Sequence, residues 1–215
     1  MHIYITNTLV LMFDNKYKEI EASSKGNYLE KGSKFISYAI KVKTNTEVKE
    51  KLNKIKKIEK SANHYCYAYV LHPDKSATYF NDDGEPRSTA GKPILGQIQS
   101  HDLTNILIIV VRYFGGTKLG VSGLIRSYKN AAKDAIKNSK IIINEIKEVY
   151  SLEFNFEKIN TIMKIIKANN IDIINKKFDS ICFMEIKITK NKSDEILNKF
   201  KENLIGLKIK YIKTI

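Results

Sequence analysis

The chain has 215 residues, 43% hydrophobic and 28% charged, with a formal net charge of +14. That length suits one large domain or two small ones, and the apolar share excludes a disordered chain. No apolar run approaches the roughly 20 residues of a bilayer-spanning helix, which excludes an integral membrane protein. Residues 1–12 are mildly apolar but lack a basic start and a small-residue cleavage site, so no secretory signal is expected. A second methionine, Met12, leaves two candidate start positions. The two cysteines, Cys66 and Cys182, form neither a disulfide framework nor a metal-ligand pattern, and a reducing, cytoplasmic setting follows as the default.

In chain order, residues 16–28 and 34–42 read as two strands joined by a turn at Lys31-Gly32. Thr44 opens a helix, with Glu47 completing a capping box and Val48, Leu52 and Ile55 on its apolar face. Residues 63–71 alternate as a strand, with Tyr65, Tyr67 and Tyr69 on one side and His64, Cys66 and Ala68 on the other. A short strand at 77–80 leads into the acidic turn Asn81-Asp82-Asp83-Gly84-Glu85-Pro86. A helix is predicted over 88–99. The unbroken aliphatic run 106–111 marks a strand buried on both faces. A glycine-rich loop and a helix over 122–137 follow, with Leu124, Ile125, Tyr128, Ala131, Ala132 and Ala135 inward. From Glu145 the order is strand, helix, strand, strand, helix, strand, which is the split βαβ, ferredoxin-like unit. The expected organisation is α+β in two domains. It comprises an N-terminal extension (1–16), a first domain (17–144) and a ferredoxin-like second domain (145–215).

The unusual residues collect in one segment. All three arginines, Arg87, Arg112 and Arg126, and seven of the ten glycines fall between Asn81 and Tyr128. In a lysine-rich chain, arginine marks a place that needs a planar fork of donors for carboxylate or phosphate. The loop holding Gly115, Gly116, Lys118 and Gly120 opens a helix, where backbone N–H groups and the helix dipole favour an anion. Its spacing fits neither a Walker A loop nor a dinucleotide fingerprint, so no nucleotide cofactor is expected. Arg126, near that helix start, would oppose the dipole unless an anion or carboxylate offset it.

Asp82, Asp83 and Glu85 do not fit a calcium loop, because position one would be Tyr79. Turn capping plus pairing with Arg112 or Arg126 is the expected role. His64 and Cys66 share a strand face about 7 Å apart, too far for a nucleophile–base hydrogen bond. No catalytic residue and no metal site is therefore assigned. The tyrosine stripe either stacks bases or packs on a helix. The net charge points to an acidic partner such as RNA. It is spread along the chain, however: 23 basic and 13 acidic residues before Glu145, 14 and 10 from there on.

These segments resemble the IMPACT family, in its bacterial YigZ branch. The carriers are Ala62-Asn63-His64-Tyr65-Cys66-Tyr67-Ala68-Tyr69, the acidic turn continuing into Thr89-Ala90-Gly91-Lys92-Pro93, and Val110-Val111-Arg112-Tyr113-Phe114-Gly115-Gly116-Thr117-Lys118-Leu119-Gly120 continuing into Gly123-Leu124-Ile125-Arg126-Ser127-Tyr128. Lys31-Gly32-Ser33-Lys34-Phe35 resembles the family's early element. Two positions depart: family members usually carry Gly at Ser88 and Thr-Gly at Val121-Ser122.

The resemblance implies a ribosomal protein S5 domain 2-like first domain and a second domain similar to domain V of elongation factor G. Proteins of that arrangement act on the ribosome. The expected function is thus a non-enzymatic, cytoplasmic, translation-linked factor that binds RNA or the ribosome. Asp82, Asp83, Glu85, Arg112, Gly115, Gly116, Lys118, Gly120 and Arg126 are its candidate ligand or RNA contacts. The alternative is an enzyme or small-anion binder using the acidic turn and the glycine-rich loop.

Overall fold

The computed structural model describes residues 15–215, so all but the last two residues of the expected N-terminal extension, and both candidate start methionines, lie outside it. The chain divides into two compact units, one of residues 17–144 and one of residues 145–215, with which the described residues up to Lys16 group.

The first unit is built on a five-stranded antiparallel sheet. Its strands are β2 (Ser24–Glu30), β3 (Ser33–Lys41), β4 (His64–Leu71), β5 (Ala77–Asn81) and β6 (Ile106–Tyr113), in the order β2-β3-β6-β4-β5. The aliphatic run lies in the central strand, β6, and alternation divides it between two cores. Ile106, Ile108 and Val110 face helices α2 (Gly91–Ser100) and α3 (Gly120–Lys137), while Leu107, Ile109 and Val111 face α1 (Asn45–Ile58). Thr44 caps α1 by accepting the Glu47 N–H at 3.2 Å. The Glu47 carboxylate answers on the Lys43 N–H at 2.9 Å, one residue earlier than a standard capping box.

Helix α3 lies close over β2 and β3 because its contact face is alanine. Ser37 Oγ donates to the Ala131 carbonyl at 2.6 Å, and a Cβ on Gly26 would sit 2.4 Å from the Ala135 nitrogen.

Three expectations need correction. Ile125, expected inward on α3, is exposed. Residues 16–28 are not one strand: β1 (Lys16–Ile20) ends at a bend and pairs with β7 (Ile141–Glu145), a strand not expected from the sequence. The buried Glu19 carboxylate fixes this ribbon, taking donors from Lys41 at 2.6 Å and Asn144 at 2.7 Å. The helix expected from Ser88 starts at Gly91 instead, because residues 86–90 form a turn held by Asp82.

The second unit follows the expected order. Strands β8 (Lys147–Asn155), β9 (Asp172–Lys177), β10 (Ile181–Thr189) and β11 (Lys208–Thr214) form an antiparallel sheet in the order β11-β8-β10-β9. Helices α4 (Ile159–Ala168) and α5 (Lys190–Asn203) cover one face through Ile162, Ile166, Ile196 and Phe200. Among the described residues no helix is long and apolar enough to cross a membrane.

Candidate functional site

The site grows from the C-terminal end of β6. Arg112 continues the register of Ile106, Ile108 and Val110, so it points to the α2/α3 side, flanked in register by Phe35 on β3 and His64 on β4. Although charged, it is 6% exposed. Its Nη1 donates to Glu85 Oε1 at 2.7 Å, and Tyr128 Oη donates to the same oxygen at 2.8 Å. Nη2 reaches Ser33 Oγ at 3.4 Å, and the guanidinium carbon lies 5.6 Å from the ring centres of both Phe35 and Phe114. Nε is the one buried side-chain nitrogen or oxygen among the described residues with no hydrogen-bond partner. A lysine could match the charge here but not the fork or the stacking.

The carboxylates of the acidic turn bond within the fold. Asp82 accepts the N–H groups of Ser88, Ala90 and Gly91 at 2.8–3.0 Å, satisfying the otherwise orphaned donors at the start of α2. Asp83 Oδ2 accepts the Tyr65 N–H at 2.7 Å, and its carbonyl oxygen lies 2.8 Å from His64 Nδ1. Glu85 is the member of the turn that pairs with Arg112.

Arg126 does not join them. It pairs with Glu30 on β2 at 2.8 Å. The reason is helical geometry: Tyr128 points inward, and two positions earlier lies about 200° around the helix. The Tyr28 hydroxyl first, and Arg126 second, hold the Glu30 carboxyl below its ordinary value. Glu30 is thus the carboxylate that offsets a cation near the start of α3.

Cys66 is fully buried, with Sγ 3.0 Å from the Asp82 carbonyl oxygen and 3.3 Å from Tyr128 Oη. Burial pushes its thiol well above the usual range, which disfavours the thiolate. Tyr65, Tyr67 and Tyr69 pack against the α1 cluster, on the face opposite His64 and Cys66. Among the described residues no group of three or more His, Cys, Asp or Glu side chains is placed to hold a metal.

The glycine loop has a fixed root and an open tip. The Phe114 N–H donates to Asn63 Oδ1 at 2.9 Å and the Gly115 N–H to Ser33 Oγ at 3.2 Å. Gly115 presses on the β2–β3 turn so closely that a Cβ would lie 1.9 Å from the Gly32 carbonyl carbon. Beyond it the backbone N–H groups of residues 116–119 donate to no acceptor among the described residues. Gly116 and Gly120 take φ of +84° and +70° with open space around them. Helix α3 has no side-chain cap and no acid in its first turn, and Lys118 is exposed beside it.

Sequence reasoning missed Ser33, Asn63 and Phe114, which root the loop, although all three lie within the quoted segments. It also missed a second network on the other sheet face. Tyr113 Oη donates to Glu59 Oε2 at 2.5 Å, the Tyr38 hydroxyl donates to Oε1, and Tyr65 Oη donates to the Glu59 carbonyl at 2.5 Å. Glu59 is simply the residue after α1, and no local motif signals it.

Comparison with known proteins covers the whole site. Residues 31–136 fit the Impact N-terminal domain, which spans the loop, the acidic turn and all of β6. An IMPACT family member of Haemophilus influenzae is 32% identical over 70% of this chain and 74% of its own length. The Escherichia coli family member YigZ is 32% identical over 58% of this chain and 62% of its own. A crystal structure of a hypothetical protein, 24% identical, superposes with a TM-score of 0.72 over 93% of this chain and 98% of that one, which speaks to the fold. Sharing that N-terminal domain and aligned with a bacterial member over most of its length, the chain belongs to the IMPACT family.

Proposed function

We propose that this protein is a translation-linked, cytoplasmic RNA-binding factor, without catalytic activity of its own, that grips RNA or ribosomal phosphates at the β6–α3 loop. The observation that carries this reading is the loop tip. Four successive unclaimed N–H groups, an uncapped start of an 18-residue helix and an exposed Lys118 converge there. No acidic side chain in the first turn of α3 competes for them. Gly115, Gly116 and Gly120 supply the backbone shape, while Arg112 and Glu85 hold the root. The net charge of +14 favours a polyanion over a small metabolite. Assigning the first unit to the ribosomal protein S5 domain 2 type, and the second to the ferredoxin-like type of elongation factor G domain V, fits the same reading.

The alternative, an enzyme or small-anion binder using the acidic turn, is less favoured. Asp82, Asp83 and Glu85 already hold backbone, guanidinium or hydroxyl donors.

The test is RNA affinity at several salt concentrations. For an unpaired strand, log K should fall with log[salt] by about 0.7 per neutralised phosphate. Lys118→Ala should lower that slope and weaken binding more than replacing any of the exposed Lys54, Lys57 or Lys60. No binding at low salt, or a flat salt response, rejects the reading.

A further inference from the structure

Phe114 is an anomaly of placement. It is 49% exposed, at the root of a loop, in a chain whose other first-unit phenylalanines are Phe35, fully buried, and Phe80, 36% exposed on the edge strand β5. Exposed loop aromatics are ordinarily free to move, but this one is held. Its own N–H is fixed by Asn63, the next by Ser33, and Gly115 is wedged against Gly32. The Arg112 guanidinium lies over its ring at 5.6 Å, and that arginine is itself immobilised by Glu85. The guanidinium covers part of the ring, and about half of the residue stays open to solvent. The result is a rigid, half-open aromatic plate. The next residues along the chain are the unclaimed amides of 116–119 and Lys118.

We propose that Phe114 is a base-stacking residue that makes this site select unpaired over base-paired RNA; this rests on the RNA-binding reading above and assigns the form of RNA to it. The chemistry is that of single-strand binders, in which an aromatic face takes a base while neighbouring donors take the backbone phosphate. Every base has a π face, so the contact carries little sequence preference. Within a duplex those faces are stacked on each other, so only the phosphate contacts remain available. An aliphatic side chain would shield the Arg112–Glu85 pair equally well; the aromatic adds a cation–π contact with Arg112 and leaves ring surface exposed for a base.

The test uses the full chain, which contains no tryptophan. Affinities for a labelled unpaired oligonucleotide and for a hairpin of equal length are measured for wild type, Phe114→Leu, Phe114→Trp and Lys118→Ala. Phe114→Leu should lose roughly 5- to 150-fold for the unpaired strand and change the hairpin by less than about twofold. Phe114→Trp should keep the affinity, and its indole emission should be quenched by the unpaired strand. Lys118→Ala should weaken both RNAs. Equal losses for both RNAs in Phe114→Leu, no loss for either, or indole emission from Phe114→Trp that is blind to saturating RNA would each overturn the stacking role. Wild-type protein that binds neither RNA removes the RNA reading itself. Intact wild-type and Lys118 behaviour with a silent Phe114 removes only this inference.

Discussion

Arg112→Lys separates the guanidinium from its charge. The Arg112 side chain is 7% exposed and that of its partner Glu85 4%, so solvent cannot replace what is lost. A lysine keeps one cation near Glu85. It forfeits the weaker reach to Ser33 and the stacking against Phe35 and Phe114, worth ~0.5–2 kcal/mol per ring. The expected cost is about 2–3 kcal/mol, within what two such contacts allow. In a chain of this size each kcal/mol moves the melting temperature by roughly 2–4 °C, so Arg112→Lys should melt about 4–12 °C lower. Arg112→Met should be worse, about 3–5 kcal/mol, because Glu85 is left as a buried anion without its cation. Adding Glu85→Gln should recover part of that, the signature of a coupled pair.

Since two units can melt separately, amide exchange along β6 should accompany the melting curve so that the first unit is read directly. An exposed exchange such as Lys54→Ala should stay within ~0.5 kcal/mol. If Arg112→Lys is indistinguishable from that control, the guanidinium is not the pin described here.

Ser88 holds φ at +63° while its N–H serves Asp82 at 2.9 Å. A left-handed non-glycine residue costs roughly 1–2 kcal/mol, and glycine gives back ~0.5–1 of that in unfolded-state entropy. Ser88→Gly should therefore raise the unfolding free energy in a urea titration by up to about 1 kcal/mol, whereas Ser88→Ala should not. Glu59 supplies a pH test. Burial alone would raise its carboxyl, but the Tyr113 and Tyr38 hydroxyls outweigh burial and hold it below its ordinary value. A depressed carboxyl contributes stability above its unfolded pKa of about 4.3 and loses it as pH falls through the lower folded value. The stability gap between wild type and Glu59→Gln should thus be widest near neutrality and shrink below about pH 4. A gap that widens with acid would show the sign to be wrong. The Glu59 carboxylate raises the Tyr113 hydroxyl to about 12, with burial adding to it, so that hydroxyl should stay protonated through about pH 10 in an absorbance titration.

What the sequence made legible was local. Six consecutive aliphatic residues announced the doubly covered β6, and Thr44 with Glu47 announced the start of α1. Concentration of the arginines and glycines located the site, because those residues carry their reasons with them: a fork of donors and a permitted left-handed backbone. The partner of each arginine was only half legible. Strand alternation puts Arg112 on the α2/α3 face, where Glu85 of the turn after β5 meets it, whereas Arg126 turns to Glu30 because its helix phase differs from that of Tyr128. The β1–β7 ribbon was hidden because its pairing joins residues far apart in the chain, and short half-exposed strands carry little pattern. Ser33 and Asn63 went unread for a simpler reason. A serine or asparagine that accepts a backbone N–H looks, in sequence, like any polar residue in a turn.

Two adjacent residues explain how the site is mounted. Strand alternation sends Arg112 to one face of the sheet and Tyr113 to the other, and each ends in a carboxylate network, Glu85 with Tyr128 on one side and Glu59 with Tyr38 on the other. The end of β6 is pinned from both faces. Phe114 and Gly115 then hand their N–H groups to Asn63 and Ser33, and the next four N–H groups, of residues 116–119, donate to no acceptor among the described residues. If the loop binds RNA as proposed, the buried cluster is its mount and the exposed loop beyond it the contact surface. A rigid mount under a short open loop keeps donors aimed without ordering them at the moment of binding. Changes at Arg112 or Glu85 should accordingly weaken binding only as far as they loosen β6, while changes at Lys118 or Phe114 should weaken it with the fold intact.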